Sequence, residues 1–228
     1  MRKGSALLLL LFCTLFFPAA AWAGKAHEKH ISEATKLILE MAKQDDSGTM
    51  GNTVRSAKGI AVFPSMIQAG LGIGGQSGEG VVLARNKNGT WSGPSFVSLV
   101  GGSFGFQIGV AKVGLVLVIN NDDGMQAFTG GSSFKLGAGV GVAAGPVGRD
   151  AEGATDSRAE ASIYSYSMSK GAYIGVTVKG ATINVNRDAN LAYWHKKTEA
   201  KAALSRPATD KRITPLVAAL KKLIGKAD

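Results

Sequence analysis

Residues 58–83 read KGIAVFPSMIQAGLGIGGQSGEGVVL. Gly70, Gly72 and Gly75 satisfy G-x-G-x-x-G, and the apolar run GIAVF ahead of them has the character of the strand such a loop follows. A dinucleotide loop also needs a helix opening at its last glycine, because helix amides and dipole hold the pyrophosphate. The chain continues instead as QSGEGVVLARNKNGTW. Gly78 and Gly80 disfavour a helix, Val81, Val82 and Leu83 favour a strand, and Asn88-Gly89 is a turn signal. The loop therefore runs from strand to strand, with no helix of crossover length before residue 120 to complete a βαβ unit. No nucleotide is expected here.

Working outward, residues 58–187 are rich in glycine and β-branched residues, with further turn signals at Gly101-Gly102 and Lys170-Gly171. Strands are expected at 59–64, 69–75, 79–85, 95–100, 103–110, 113–119, 133–143, 159–168, 172–178 and 181–186. A short helix is expected over 122–128, capped by Asn121 or Asp122. Residues 145–158, without apolar periodicity, read as a mobile loop. Between Lys25 and Lys43, Ile31, Ala34, Leu37, Ile38 and Met41 fall on one helical face and Lys29, Lys36 and Lys43 mostly off it. Helices are also expected at 188–205 and 215–226. The second opens with Thr214-Pro215 and carries an apolar stripe of Leu216, Val217, Leu220, Leu223 and Ile224. Either terminal helix could pack on the sheet or lie on a bilayer. The fold class is α+β, a curved, mostly antiparallel, glycine-rich sheet or open barrel flanked by N- and C-terminal amphipathic helices. An outer-membrane barrel is the architectural rival. Several of the strands are short for a span, aromatics make up only 7% of the chain, and both ends are helical.

Three ordered blocks resemble the SYLF-domain family of lipid-binding, Ysc-type actin-binding modules found in bacteria and eukaryotes. They are KGIAVFPSMIQAGLGIGGQSGEG from Lys58 to Gly80, GGSFGFQIGVAKVGLVLVINNDDGMQAF from Gly101 to Phe128, and SIYSYSMSKGAYIGVTVKGATINVN from Ser162 to Asn186. The last is similar to the family's closing hairpin, in which a Lys-Gly turn precedes a glycine-broken strand. The segment GVAAGPVGRDAEGATDSRAE is of a kind that varies in such proteins, and the tail after His195 lies outside the likeness. The resemblance implies phospholipid binding without catalysis or cofactor. No SH3 or FYVE domain is expected beside it, so actin-linked roles of eukaryotic members are not carried over.

The first residues read as a secretory signal: Arg2 and Lys3, an apolar core from Ala6 to Phe17, then Ala21-Trp22-Ala23, with cleavage expected after Ala23. The expected organisation is thus a signal peptide at 1–23, a SYLF-like domain at 24–195 and a basic helical extension at 196–228. The single cysteine, Cys13, falls in the signal, so the mature chain holds no disulfide. Losing Arg2 and Lys3 lowers the formal charge from +10 to +8. A basic exported protein is drawn to anionic surfaces, whereas nucleic acid is not an expected partner across a membrane.

Catalytic and metal patterns fail on context. Gly101-Gly102-Ser103-Phe104-Gly105 fits G-x-S-x-G, but strand-like sequence follows where a nucleophile elbow needs a helix. His27 and His30 lie near the new N-terminus, where chains fray, with no cysteine to join them. Asn120 to Gly124 lacks the spacing of a calcium loop. The expected function is non-enzymatic association with an anionic phospholipid surface at the periplasmic or secreted side. Lys25, Lys29, Lys36, Arg55 and Lys58 would attract headgroups while Ile31, Leu37, Ile38 and Met41 insert shallowly. The alternative is a structural protein of the envelope whose sheet binds another envelope protein.

Overall fold

Apolar residues at helical spacing after Lys25 form α1 (Ala19–Met41), and a second helix, α2 (Ser47–Ser56), follows it. These come from a computed structural model that describes residues 19–45, 47–138, 140–145 and 161–226, with backbone alone described at 19–26, 72 and 103–108. Helix α2 is not expected from the sequence, because Gly48 and Gly51 lower its propensity. Its one signal is Met50 and Val54, four apart and both buried.

Two long strands dominate the sheet. The expected strands at 59–64, 69–75 and 79–85 are parts of β1 (Gly59–Arg85), and those at 95–100, 103–110 and 113–119 are parts of β2 (Trp91–Ile119). They pair antiparallel from Gly59↔Ile119 to Arg85↔Trp91, closing at the Asn88-Gly89 turn, where Gly89 has φ +79. Gly101-Gly102 is no turn, since β2 runs through it. The ribbon instead bends back on itself near residues 70–74, where the register shifts between Leu71 and Ile73. The halves of β1 then lie against each other. Lys58 O accepts from Arg85 N at 2.7 Å, and Gln68 Nε2 donates to Gln76 Oε1 at 3.1 Å. Phe63 lies over Gly80, where a β-carbon would come within 2.6 Å of the ring. At the bend, a β-carbon on Gly74 would run into Ala69 O. These glycines mark close backbone approach.

β2 is the hub. Beyond the bend its two halves take different partners, β7 (Thr182–Val185) along 97–100 and β5 (Ile163–Ser169) along 114–119. Short strands β3 (Phe134–Lys135), β4 (Val142–Ala144) and β6 (Ala172–Tyr173) complete a curled half-barrel in the order β3-β7-β2-β5-β4, with β1 on β2 and β6 on β5. Among the described strands, only β4 runs parallel to its neighbour. The architecture is α+β, as expected. The strands expected at 133–143 and 172–178 are mostly irregular backbone. The Lys170-Gly171 turn is present, with φ +51 and +79 between the paired Ser169 and Ala172. Most of the loop expected at 145–158 lies outside the described residues.

Away from the bend, the sheet is buried on both faces, which explains unbroken apolar runs such as VGLVLVI. Ile60, Val62, Val81, Leu83, Val116 and Val118 face a core shared with α1, α2 and the C-terminal helices. Ala61, Phe63, Val82, Leu115 and Leu117 face a second core closed by Phe128 and Leu204. Helix α3 (Asp122–Thr129) is capped by Asn121, whose side chain accepts from Gly124 N at 2.9 Å. The helix expected at 188–205 is two helices, α4 (Arg187–Trp194) and α5 (Ala200–Leu204), because His195 takes a left-handed φ of +54 that ends the first. Helix α6 (Thr214–Ile224) buries Leu216, Leu220 and Leu223, so its apolar stripe packs inward. The tail after His195 thus belongs to the main core.

Candidate functional site

Helix α1 turns Ile31, Leu37, Ile38 and Met41 into the core, where none is more than 6% exposed. This corrects the expected shallow insertion: the apolar face is consumed by β1 and α6 and is not presented to a bilayer. Lys29 is exposed and sits 4.0 Å from Glu33, while Lys36 borders a groove with Glu33, Glu40, Lys112 and Lys170. Lys25 lies in the first turns of α1, its side chain outside the described set.

Arg55 and Lys58 lie together elsewhere, where the C-terminus of α2 meets the start of β1 and the β1–β2 turn. They border a cleft of about 420 Å³ with Arg85, Lys87 and Asp122. Lys58 Nζ is 3.2 Å from Asp122 Oδ1. Arg55 Nη2 donates to Ile224 O at 3.1 Å, closing the end of α6. Arg85 Nη1 donates to Val54 O at 2.9 Å and to Arg55 O, tying the ribbon to the end of α2. Burial, and then the charge of Arg55, lower the Arg85 pKa below the usual arginine value. Four cations and one carboxylate lining the same cleft make a site suited to a phosphate-like anion. Sequence reading does not find Arg85 and Lys87, because the 27-residue β1 separates them from Arg55 and Lys58.

Ser103 lies within β2, so the strand-to-helix turn of a nucleophile elbow is not formed there. His27, expected near a frayed terminus, is buried with its ring 5.5 Å from that of Tyr193 and 5.9 Å from that of Phe96. Among the described residues there is no cluster of three or more metal-ligating side chains, and no helix is long and apolar enough to cross a membrane.

Residues 100–223 match the Ysc84 family, described as "Las17-binding protein actin regulator". The chain belongs to this Ysc84, or SYLF-domain, family. The match runs through the tail after His195, in keeping with the packing of α5 and α6 in the core. This SYLF-domain chain is 35% identical over 180 residues to LAS seventeen-binding protein 3 of Saccharomyces cerevisiae, covering 76% of the chain and 39% of that protein. It is 35% identical over 154 residues to Protein YSC84 of the same yeast, covering 67% and 33%. Human SH3 domain-containing YSC84-like protein 1 is 34% identical over 172 residues, covering 75% and 50%. The SYLF-domain chain thus spans half or less of the length of these relatives.

One electrostatic feature of the domain is testable alone. Arg212 donates to Asp210 through Nε at 3.0 Å and Nη2 at 2.8 Å, and its guanidinium lies 3.9 Å from the ring centroid of Tyr193. The Arg212 hydrogen bonds hold the Asp210 carboxyl down at about 2. Burial, and then Asp210, push the Tyr193 phenol from 10 to about 12. Folding favours the neutral phenol, so its stabilisation is complete below pH 10 and is lost as pH rises through 12. Tyr193→Phe should therefore flatten the alkaline fall in urea stability by about 2 kcal/mol. It should change stability little at pH 7, because the Tyr193 hydroxyl has no hydrogen-bond partner among the described residues.

Proposed function

We propose that this SYLF-domain protein is an exported, non-enzymatic module that associates with anionic phospholipid surfaces at the periplasmic or secreted side, after cleavage behind Ala23. The observation that carries this reading is the cleft lined by Arg55, Lys58, Arg85 and Lys87 with one carboxylate, Asp122, on a chain whose formal charge is +8 once Arg2 and Lys3 are removed. Lys29 and Lys36, and Lys25 earlier in the helix, add cations along α1. Each basic residue near an anionic leaflet contributes about 1 kcal/mol, falling off within a Debye length.

The test is flotation of the mature protein with phosphatidylglycerol vesicles at low salt. Binding should fall by about tenfold or more when Arg55 and Lys58 are both changed to glutamate, as two reversed charges dictate. It should also weaken steeply as salt rises. Charge reversal is preferable to deleting residues 25–43, because α1 is part of the core. A mature protein that stays off such vesicles at low salt would sink the reading.

A second reading is a binding module for an envelope protein. It draws on the description of the family as Las17-binding. Capture of an envelope protein in detergent, insensitive to salt and to the Arg55/Lys58 reversal, would favour it.

A further inference from the structure

The fold-back of the β1–β2 ribbon turns polarity inside out at one end. At the bend the inward positions are polar or bare: Gln68 pairs with Gln76, whose Nε2 also donates to Gly102 O and Thr177 O at 2.9 Å each. The outward positions are apolar. Ile67, Ala69 and Leu71 share one face by alternation, and the register sets Lys112 beside Ile67 and Val110 beside Ala69 on that same face. Leu71 is 76% exposed, Ile73 73% and Val110 76%. A strand end meant for water carries the opposite pattern, with apolar residues in and polar residues out.

Charge surrounds this apolar end on two sides. Lys112 follows Val110 by two residues, and Lys170 sits beside it in the β5–β6 turn, where Ser169 Oγ donates to Lys112 O at 3.2 Å. On the other side, the Gln76 bond to Thr177 and the seat of Ala181 against Gly101 bring the segment with Lys179 alongside. Residues 59–78, 91–121 and 161–187 contain no Asp or Glu. Among the described carboxylates, Glu79 accepts from Asn186 at 2.6 Å, and Glu33, which accepts from Ser65 at 3.2 Å, borders with Glu40 the groove that Lys112 and Lys170 also line.

We propose that the bent end of the β1–β2 ribbon is the part of this protein that enters an anionic bilayer, with Leu71, Ile73 and Val110 seated among the headgroups and Lys112, Lys170 and Lys179 on the surrounding phosphates. An apolar tip with lysines on two sides is complementary to that surface. The inference rests on the lipid reading above and moves the inserting element from α1, whose apolar face is buried, to the ribbon.

Flotation on vesicles of phosphatidylglycerol and phosphatidylcholine tests it, using the mature chain and the double variant Leu71→Asp, Ile73→Asp. Both positions are exposed, so the variant should keep the wild-type circular dichroism and urea midpoint. Its vesicle binding should fall at least tenfold. A Leu71→Trp variant should shift its emission to the blue on binding and be quenched by lipids brominated near the headgroup. If the wild type binds but the aspartate variant binds equally and the emission of the Leu71→Trp variant is unmoved, the tip is overturned while the lipid reading stands. If the wild type does not bind, the lipid reading itself fails. If the wild type self-associates without lipid and the aspartate variant is monomeric, the tip docks a second copy, which also overturns the proposal.

Discussion

Phe63→Ala is expected to lower the free energy of unfolding by about 3–5 kcal/mol, measured by urea denaturation at neutral pH. Phe63 is fully buried in the second core, at the place where the returning half of β1 crosses the first. Opposite it stands Gly80, which has no side chain to move into a vacancy, so the void cannot relax and the cost should sit high in the range. Gly80→Ala, which puts a β-carbon 2.6 Å from the Phe63 ring, should cost about 1–3 kcal/mol by overpacking. Phe63→Leu in the same chain should return part of that loss, giving a coupling between the two positions that independent sites do not show. Strict additivity of Gly80→Ala and Phe63→Leu would mean that the two halves of β1 do not lean on each other as described.

Asn190→Ala should cost about 3 kcal/mol, the second largest effect, with a lower urea midpoint and an unchanged slope. Asn190 is 1% exposed in α4 and holds the edge of the hub strand. Its Oδ1 accepts from Phe96 N at 3.0 Å, and its Nδ2 donates to Phe96 O at 3.2 Å and Asn186 O at 2.9 Å. Phe96 O keeps a second donor in Asn186 N, but the Phe96 N–H is left buried without this acceptor. A buried unpaired donor carries its full desolvation penalty, to which the vacated volume adds. Asn190→Leu, which restores volume but not the acceptor, should recover only the cavity part. If it restores wild-type stability, the hydrogen bonds contribute nothing net.

The elements with local physical signals are legible in the chain. Asn121 caps α3 where an Asx residue is expected, the Asn88-Gly89 and Lys170-Gly171 turns lie where positive φ is needed, and the apolar spacing of α1 and α6 marks their helices. The β1–β2 ribbon reads as six short strands because Pro64-Ser65, Gln76-Ser77-Gly78, Gly101-Gly102 and Ala111-Lys112 interrupt the apolar pattern. Backbone pairing with β2 carries the strand across them, since a glycine without a Cβ weakens a strand but does not prevent its ladder bonds. Arg55 and Lys58 are legible as cations. That Arg85 and Lys87 join them follows only from the antiparallel return of β1.

Composition and local pattern alone determined the basic charge, the α+β class, the family and the strand character that removes the nucleotide and hydrolase readings. Those depend on near neighbours in the chain, where period, caps and turn chemistry act. Tertiary structure alone decided which apolar surface is spent and which is left. The helical stripe on α1 and the alternating Ile67, Ala69 and Leu71 look equally amphipathic in sequence. Folding the ribbon back buries the first under the sheet and, by setting Gln68 against Gln76, forces the second outward. The direction a side chain faces in a bent strand is set by what the other half of that strand occupies.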